Sequence, residues 1–74
     1  MARLVLVDLT GLTFLSSVGI FSLVRAQRRA AERGAVLHAF GPLRRPVDRA
    51  FELTGAQEFL HLYPDRDHAI TAAA

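Results

Sequence analysis

The chain has 74 residues, of which 51% are hydrophobic, and it carries a formal net charge of +2. This composition predicts one small domain with a modest core and excludes a disordered chain. The absence of cysteine excludes disulfides and thiolate metal ligands, and no segment approaches the roughly 20 apolar residues of a membrane-spanning helix.

The first predicted element is a strand over residues 4–7. This run is apolar without alternation, which indicates a strand covered on both faces, as in parallel sheets. Asp8 ends the strand, and the residues up to Thr13 are turn-like, with Gly11 among them. Asp8 either helps to position the loop before the next helix or simply forms an Asx-turn with its own backbone.

The clearest predicted element is a helix that starts at Ser16 or Ser17 and runs to about Arg33. Serine at that position is a preferred N-cap, and Gly34 is suited to the left-handed conformation that ends a helix. At 100° per residue, apolar side chains share one face with Gln27, whereas arginine and serine side chains occupy the other. Val18 and Phe21 fall on or beside the polar side.

The rest of the chain repeats the alternation of strand and helix. We predict a strand over residues 35–40, a helix over residues 46–54 ended by Gly55, a strand over residues 59–63 and a helix over residues 66–73. Right-handed crossovers between successive strands then give an α/β fold, a parallel sheet with helices packed on it.

These elements resemble a known family. Residues 4–19 read L-V-L-V-D-L-T-G-L-T-F-L-S-S-V-G. This is similar to the pattern of the STAS domain (the sulfate transporter and anti-sigma factor antagonist fold): a strand, Asp-Leu, a linker, and Asp-Ser-(Ser/Thr)-Gly opening a helix. Residues 34–37, 51–55 and 63–65, followed by Ala69, resemble later parts of the family in order and spacing. The resemblance implies a single, partial STAS domain over residues 1–74, lacking the family's usual N-terminal strands.

The resemblance also implies a function. In anti-sigma factor antagonists the serine matching Ser17 is phosphorylated by the anti-sigma factor, which is itself a serine kinase, and the dephosphorylated protein binds that kinase. Ser17 would then be the phosphorylation switch of a cytoplasmic transcription regulator. Here Ser16 replaces the family's aspartate, and Val18 replaces a small hydroxyl residue. From the residues alone, a serine at this place is first of all a helix cap, with Ser16 as the cap and Ser17 as the exposed hydroxyl.

Phe21 lies one turn beyond Ser17, on a side of the helix that has no core to enter. It is either a lone surface aromatic or the centre of a partner-binding site. In the second case Val18 and Phe21 form the apolar centre of the site, which also includes Ser16 at the helix start and is ringed by Ser22, Arg25 and Arg28. The exposed first strand would offer a second contact surface, through which a homodimer could form.

Other functions have little support in the sequence. The three histidines lie on three different elements without partners at motif spacing, so we expect no metal site, no cofactor and no enzymatic activity. Arginines and acids alternate, as at Glu32 and Arg33, and no basic run is longer than two, which disfavours nucleic acid. The alternative function is an accessory STAS subunit of a membrane lipid or anion transporter. A third reading is a structural fragment without a switch.

Overall fold

A computed structural model describes residues 3–74 and contains the predicted order of strands and helices. The strands are β1 (Arg3–Asp8), β2 (Ala35–Phe40) and β3 (Leu62–Tyr63). The helices are α1 (Ser17–Glu32), α2 (Arg45–Thr54) and α3 (Arg66–Thr71), with a 3₁₀ turn at Ala56–Phe59 before β3. The α/β class, with helices packed on a sheet, is confirmed.

The three strands form one parallel sheet in the order β1-β2-β3. Arg3 of β1 is in register with Ala35 of β2, and Asp8 with Phe40. Because successive side chains point to opposite faces of a sheet, Ala39 faces the core below α1 and α2, whereas His38 faces α3. The sheet therefore has two helices on one face and the short α3 on the other.

The core lies between the sheet and the first two helices. Ile20 of α1, together with Val47 and Phe51 of α2, is fully buried, and these side chains pack against Ala39 of β2. Burial of each large apolar side chain contributes about 1.5–3 kcal/mol. Only one side of α1 and of α2 packs against the sheet, and the other side of α1 is exposed to solvent.

Both helix-ending glycines behave as predicted. Gly34 has φ +73° and Gly55 has φ +68°, in the left-handed region that residues with a Cβ rarely adopt. The Gly55 N–H donates to the Phe51 carbonyl, which closes the last turn of α2. These two residues set the points at which the chain turns back towards β2 and towards the third strand.

The third strand was predicted over residues 59–63, and this prediction was wrong for all but the last two residues. The side chain of Gln27 explains the difference. Its Nε2 donates to the Phe59 carbonyl (2.9 Å), and its Oε1 accepts from the His61 N–H (2.7 Å). One amide thus binds two backbone groups of this segment, so the polar residue on the apolar side of α1 has a structural role.

Two smaller expectations also need correction. The apolar run at residues 4–7 is not covered on both faces, because Leu4 and Val5, whose side chains point to opposite faces of the sheet, are both exposed. The last helix ends at Thr71 instead of residue 73, whereas the second begins at Arg45, within one residue of the expected start. Pro46 is therefore the second helical residue, still within the first turn, where its missing N–H costs nothing.

Candidate functional site

The start of α1 is organised by Ser16. Its backbone is extended, its Oγ accepts from the Gly19 N–H (3.1 Å), and its carbonyl accepts from the Ile20 N–H (2.9 Å). Ser16 is therefore the N-cap, as the sequence suggested. The next residue, Ser17, is the first of the helix and is exposed, and within residues 3–74 its hydroxyl makes no hydrogen bond. Ser16 thus caps the helix, whereas the hydroxyl of Ser17 is exposed to solvent and accessible to a partner.

Gly19 lies against the Leu15 side chain of the loop before α1. A Cβ at this position would lie 2.9 Å from Leu15 Cδ1, closer than such atoms normally approach. Leu15 is partly buried and packs against the core cluster. A side chain at position 19 would therefore require Leu15 to shift.

Three apolar side chains surround the exposed serine in sequence and are left in solvent. Val18 is 71% exposed, Phe21 is 52% exposed, and Phe14, in the loop before the helix, is 75% exposed. The structure thus places Val18 and Phe21 on the surface, as predicted. Phe14 was missed by the sequence reasoning, although an aromatic residue two positions before the helix cap was the signal for it. We call these three apolar residues, together with Ser17 between them, the apolar tip.

The polar members of the predicted site lie further along α1. Ser22 Oγ donates to the Val18 carbonyl (2.9 Å), so its hydrogen is used within the helix. Arg25 lines a shallow surface depression of about 420 Å³ together with Ser22, Ala26 and Arg29. Arg29 was not among the predicted site residues, although the helical period places it beside Arg25.

Asp8 forms the Asx-turn that was one of its two predicted roles. Its Oδ1 accepts from the Thr10 N–H (2.9 Å) and from the Thr10 hydroxyl (2.6 Å). These two hydrogen bonds stabilise the carboxylate and lower the pKa of Asp8 from its ordinary value of 3.8. The carboxylate makes no hydrogen bond to Ser16 or Ser17, so it fixes the start of the loop only.

The structure brings two of the three histidines together. His38 is buried in β2, and its Nδ1 lies 2.8 Å from the Ala69 carbonyl, which ties the sheet to α3. The His61 ring is 5.3 Å from the His38 ring, in an edge-to-face arrangement. His68 lies apart, 2.8 Å from Asp65, the N-cap of α3. Within the described part of the chain, no three histidine or carboxylate residues are grouped as metal ligands.

Comparison with known proteins identifies the family. The family model of the STAS domain, a protein-interaction domain, matches residues 2–69 of the chain. The comparisons with curated proteins and with solved structures give no match. In residues 3–74 no helix is long and apolar enough to cross a membrane. With the match covering most of the chain, and with the parallel sheet and capped helix that the family pattern implied, the chain belongs to the STAS domain family.

Proposed function

We propose that the protein is an anti-sigma factor antagonist-like regulator that acts in the cytoplasm and has no catalytic activity of its own. Its partner is an anti-sigma factor that is also a serine kinase, and phosphorylation of Ser17 switches the binding off. One observation carries this proposal. Ser16 caps α1, which leaves the Ser17 hydroxyl exposed next to the apolar side chains of Val18 and Phe21.

The start of α1 tolerates a phosphate. The first N–H groups of a helix have no intrahelical partner, and the helix dipole favours an anion there by about 0.3–1 kcal/mol. The first turn of α1 contains no acidic residue that would repel the phosphate. A phosphate on Ser17 is therefore expected to leave the helix folded.

The same phosphate changes what the surface can bind. It adds about −1.5 to −2 charges beside Val18 and Phe21, which are suited to an apolar contact. A partner that covers these side chains would have to remove water from the phosphate, and burying an uncompensated charge is costly. The dephosphorylated chain is therefore the form that binds.

The test is phosphorylation by a cognate anti-sigma serine kinase in the presence of ATP, followed by site mapping with mass spectrometry. Ser16→Ala and Ser17→Ala are matched variants, because the two serines are adjacent and both exposed. The proposal predicts that phosphate appears on Ser17 and is lost only in Ser17→Ala. A verified partner kinase that binds the chain but never modifies Ser17 contradicts it. Co-purification with the ATPase of a transporter would favour the accessory-subunit function instead.

A further inference from the structure

The positive charge of the chain is concentrated on one stretch of α1 and the residue that follows it. Residues 25–33 contain four arginines and one glutamate, a net charge of +3. The whole chain has a net charge of +2, so the remaining residues sum to −1. Alanine and glutamine separate Arg25 from Arg28, so no basic run is longer than two, but the helical period places these arginines on the polar side of the helix. The helical conformation of α1 places these arginines close together on its surface.

Three of these arginines share the exposed face of α1 with the apolar tip. Counted along the helix, Arg25 follows Phe21 by four residues, and Arg28 and Arg29 follow at the next turn. Such spacings place side chains on one side of a helix, with a rise of about 5.4 Å per turn. The result is one continuous surface, apolar at its start and basic beyond it. We call residues 25, 28 and 29 the arginine cluster.

In residues 3–74 none of the three arginines lies within 4.0 Å of a carboxylate, although Glu32 follows one turn beyond Arg28 and Arg29 on α1. The one basic side chain described within 4.0 Å of a carboxylate is His68, whose Nδ1 lies 2.8 Å from Asp65. The stretch around α2 is closer to neutral, because residues 44–52 contain three arginines and two acids, Asp48 and Glu52, a net charge of +1 against +3 for residues 25–33. An exposed cluster of one sign attracts a surface of the opposite sign and excludes partners of the same sign.

We infer that the partner presents a cluster of aspartate and glutamate side chains adjoining the apolar patch that covers Val18 and Phe21. The inference rests on the proposed function and specifies the chemistry of the partner surface. Val18 and Phe21 bury apolar surface against the partner and stabilise the complex. The arginine cluster attracts the acidic side chains of the partner and orients the two proteins as they meet. A partner with a basic or neutral surface at this place does not fit.

Ser17 and the arginine cluster then have separate tasks. Eight residues separate Ser17 from Arg25, a distance of about 12 Å along the helix axis. This exceeds the screening length of about 8 Å at physiological ionic strength, so a phosphate on Ser17 does not neutralise the cluster. Phosphorylation is expected to shorten the lifetime of the complex, and loss of the arginines to slow its formation.

The experiment measures association and dissociation rates between the full chain and the kinase that phosphorylates it, at low and high salt. The test variant is Arg25→Glu/Arg28→Glu. The matched control is Arg45→Glu/Arg49→Glu on α2, which changes the net charge equally at exposed positions of another helix. Circular dichroism verifies that both variants are folded.

We expect the α1 variant to associate at least about tenfold more slowly at low salt, with a smaller loss at high salt, and the α2 variant to stay within about twofold of the wild type. Equal slowing by both variants, or no slowing by either, would overturn the inference while leaving the proposed function intact. Failure of the wild-type chain to bind the kinase would overturn both.

Discussion

Truncation of Phe21 separates a binding role from a structural one. A phenylalanine side chain contributes about 1.5–3 kcal/mol when fully buried, but Phe21 is 52% exposed. Phe21→Ala should therefore cost about 1 kcal/mol of unfolding free energy, offset by the few tenths that alanine gains in helix propensity. For a domain of this size, that corresponds to a decrease in Tm of at most about 4–8 °C.

The neighbouring residue provides the comparison. Ile20 is fully buried in the core cluster, one position away on the same helix. Ile20→Ala should cost about 2–5 kcal/mol, because it removes buried methyl groups and leaves a cavity. Thermal unfolding followed by circular dichroism measures both variants under the same conditions, and the wild-type chain gives the reference.

The binding measurement completes the experiment. If Phe21 lies at the centre of the partner contact, Phe21→Ala should weaken binding to the kinase by at least about tenfold, or 1.4 kcal/mol. Isothermal titration calorimetry of the folded variant gives this number. Unchanged affinity, or a loss of stability as large as that of Ile20→Ala, would refute the assignment of Phe21 to a binding surface.

Three further variants test the local structure. Ser16→Ala removes the cap of α1 and should cost about 1 kcal/mol in urea unfolding, whereas Ser17→Ala should stay within about 0.5 kcal/mol of the wild type; equal effects would contradict the division of roles. Gln27→Leu removes two hydrogen bonds to the segment before β3 and should cost about 1–3 kcal/mol by the same assay, whereas no loss would mean that the two bonds add nothing. The pKa of Asp65 is lowered from its ordinary value of 3.8, chiefly by the hydrogen bond from the His68 N–H and then by the His68 side chain. The ionised Asp65 carboxylate therefore stabilises the folded chain at a pH above the pKa that Asp65 has in the unfolded chain. This stabilisation is lost as the pH falls through the lower pKa that Asp65 has in the folded chain. Asp65→Asn, which keeps a capping oxygen, should accordingly make unfolding less dependent on pH below about 4; an unchanged acid profile would contradict this.

Local signals were sufficient to predict most of the fold. The helix over residues 17–32 has a serine cap at one end and a glycine stop at the other, and the second strand lies between that glycine and the Gly41-Pro42 breaker. These signals act within one or two turns of the chain, so they can be read without knowledge of tertiary contacts. The exposure of Val18 and Phe21 followed from the helical period in the same way.

The errors arose where distant residues decide the outcome. The third strand is short because Gln27, more than 30 residues earlier, binds the backbone at Phe59 and His61. His38 is buried because α3 packs over it, and the Ala69 carbonyl accepts its hydrogen bond. Neither contact has a signature in the local sequence.

The candidate site shows the same division. Position along the chain left the N-cap open between Ser16 and Ser17, and the structure assigns it to Ser16. Phe14 was overlooked because it precedes the helix and has no helical period. The arginines were placed on the polar side of α1 from the helical period, but Arg29 was left out of the predicted site.

The central claim is that the exposed start of α1 is where the partner binds. Backbone amide spectra of the ¹⁵N-labelled chain, recorded while the unlabelled kinase is added, test it most directly. The account predicts that the strongest changes occur at Ser17, Val18, Phe21 and Arg25. Changes confined to β1 and α3, with the start of α1 unaffected, would contradict it.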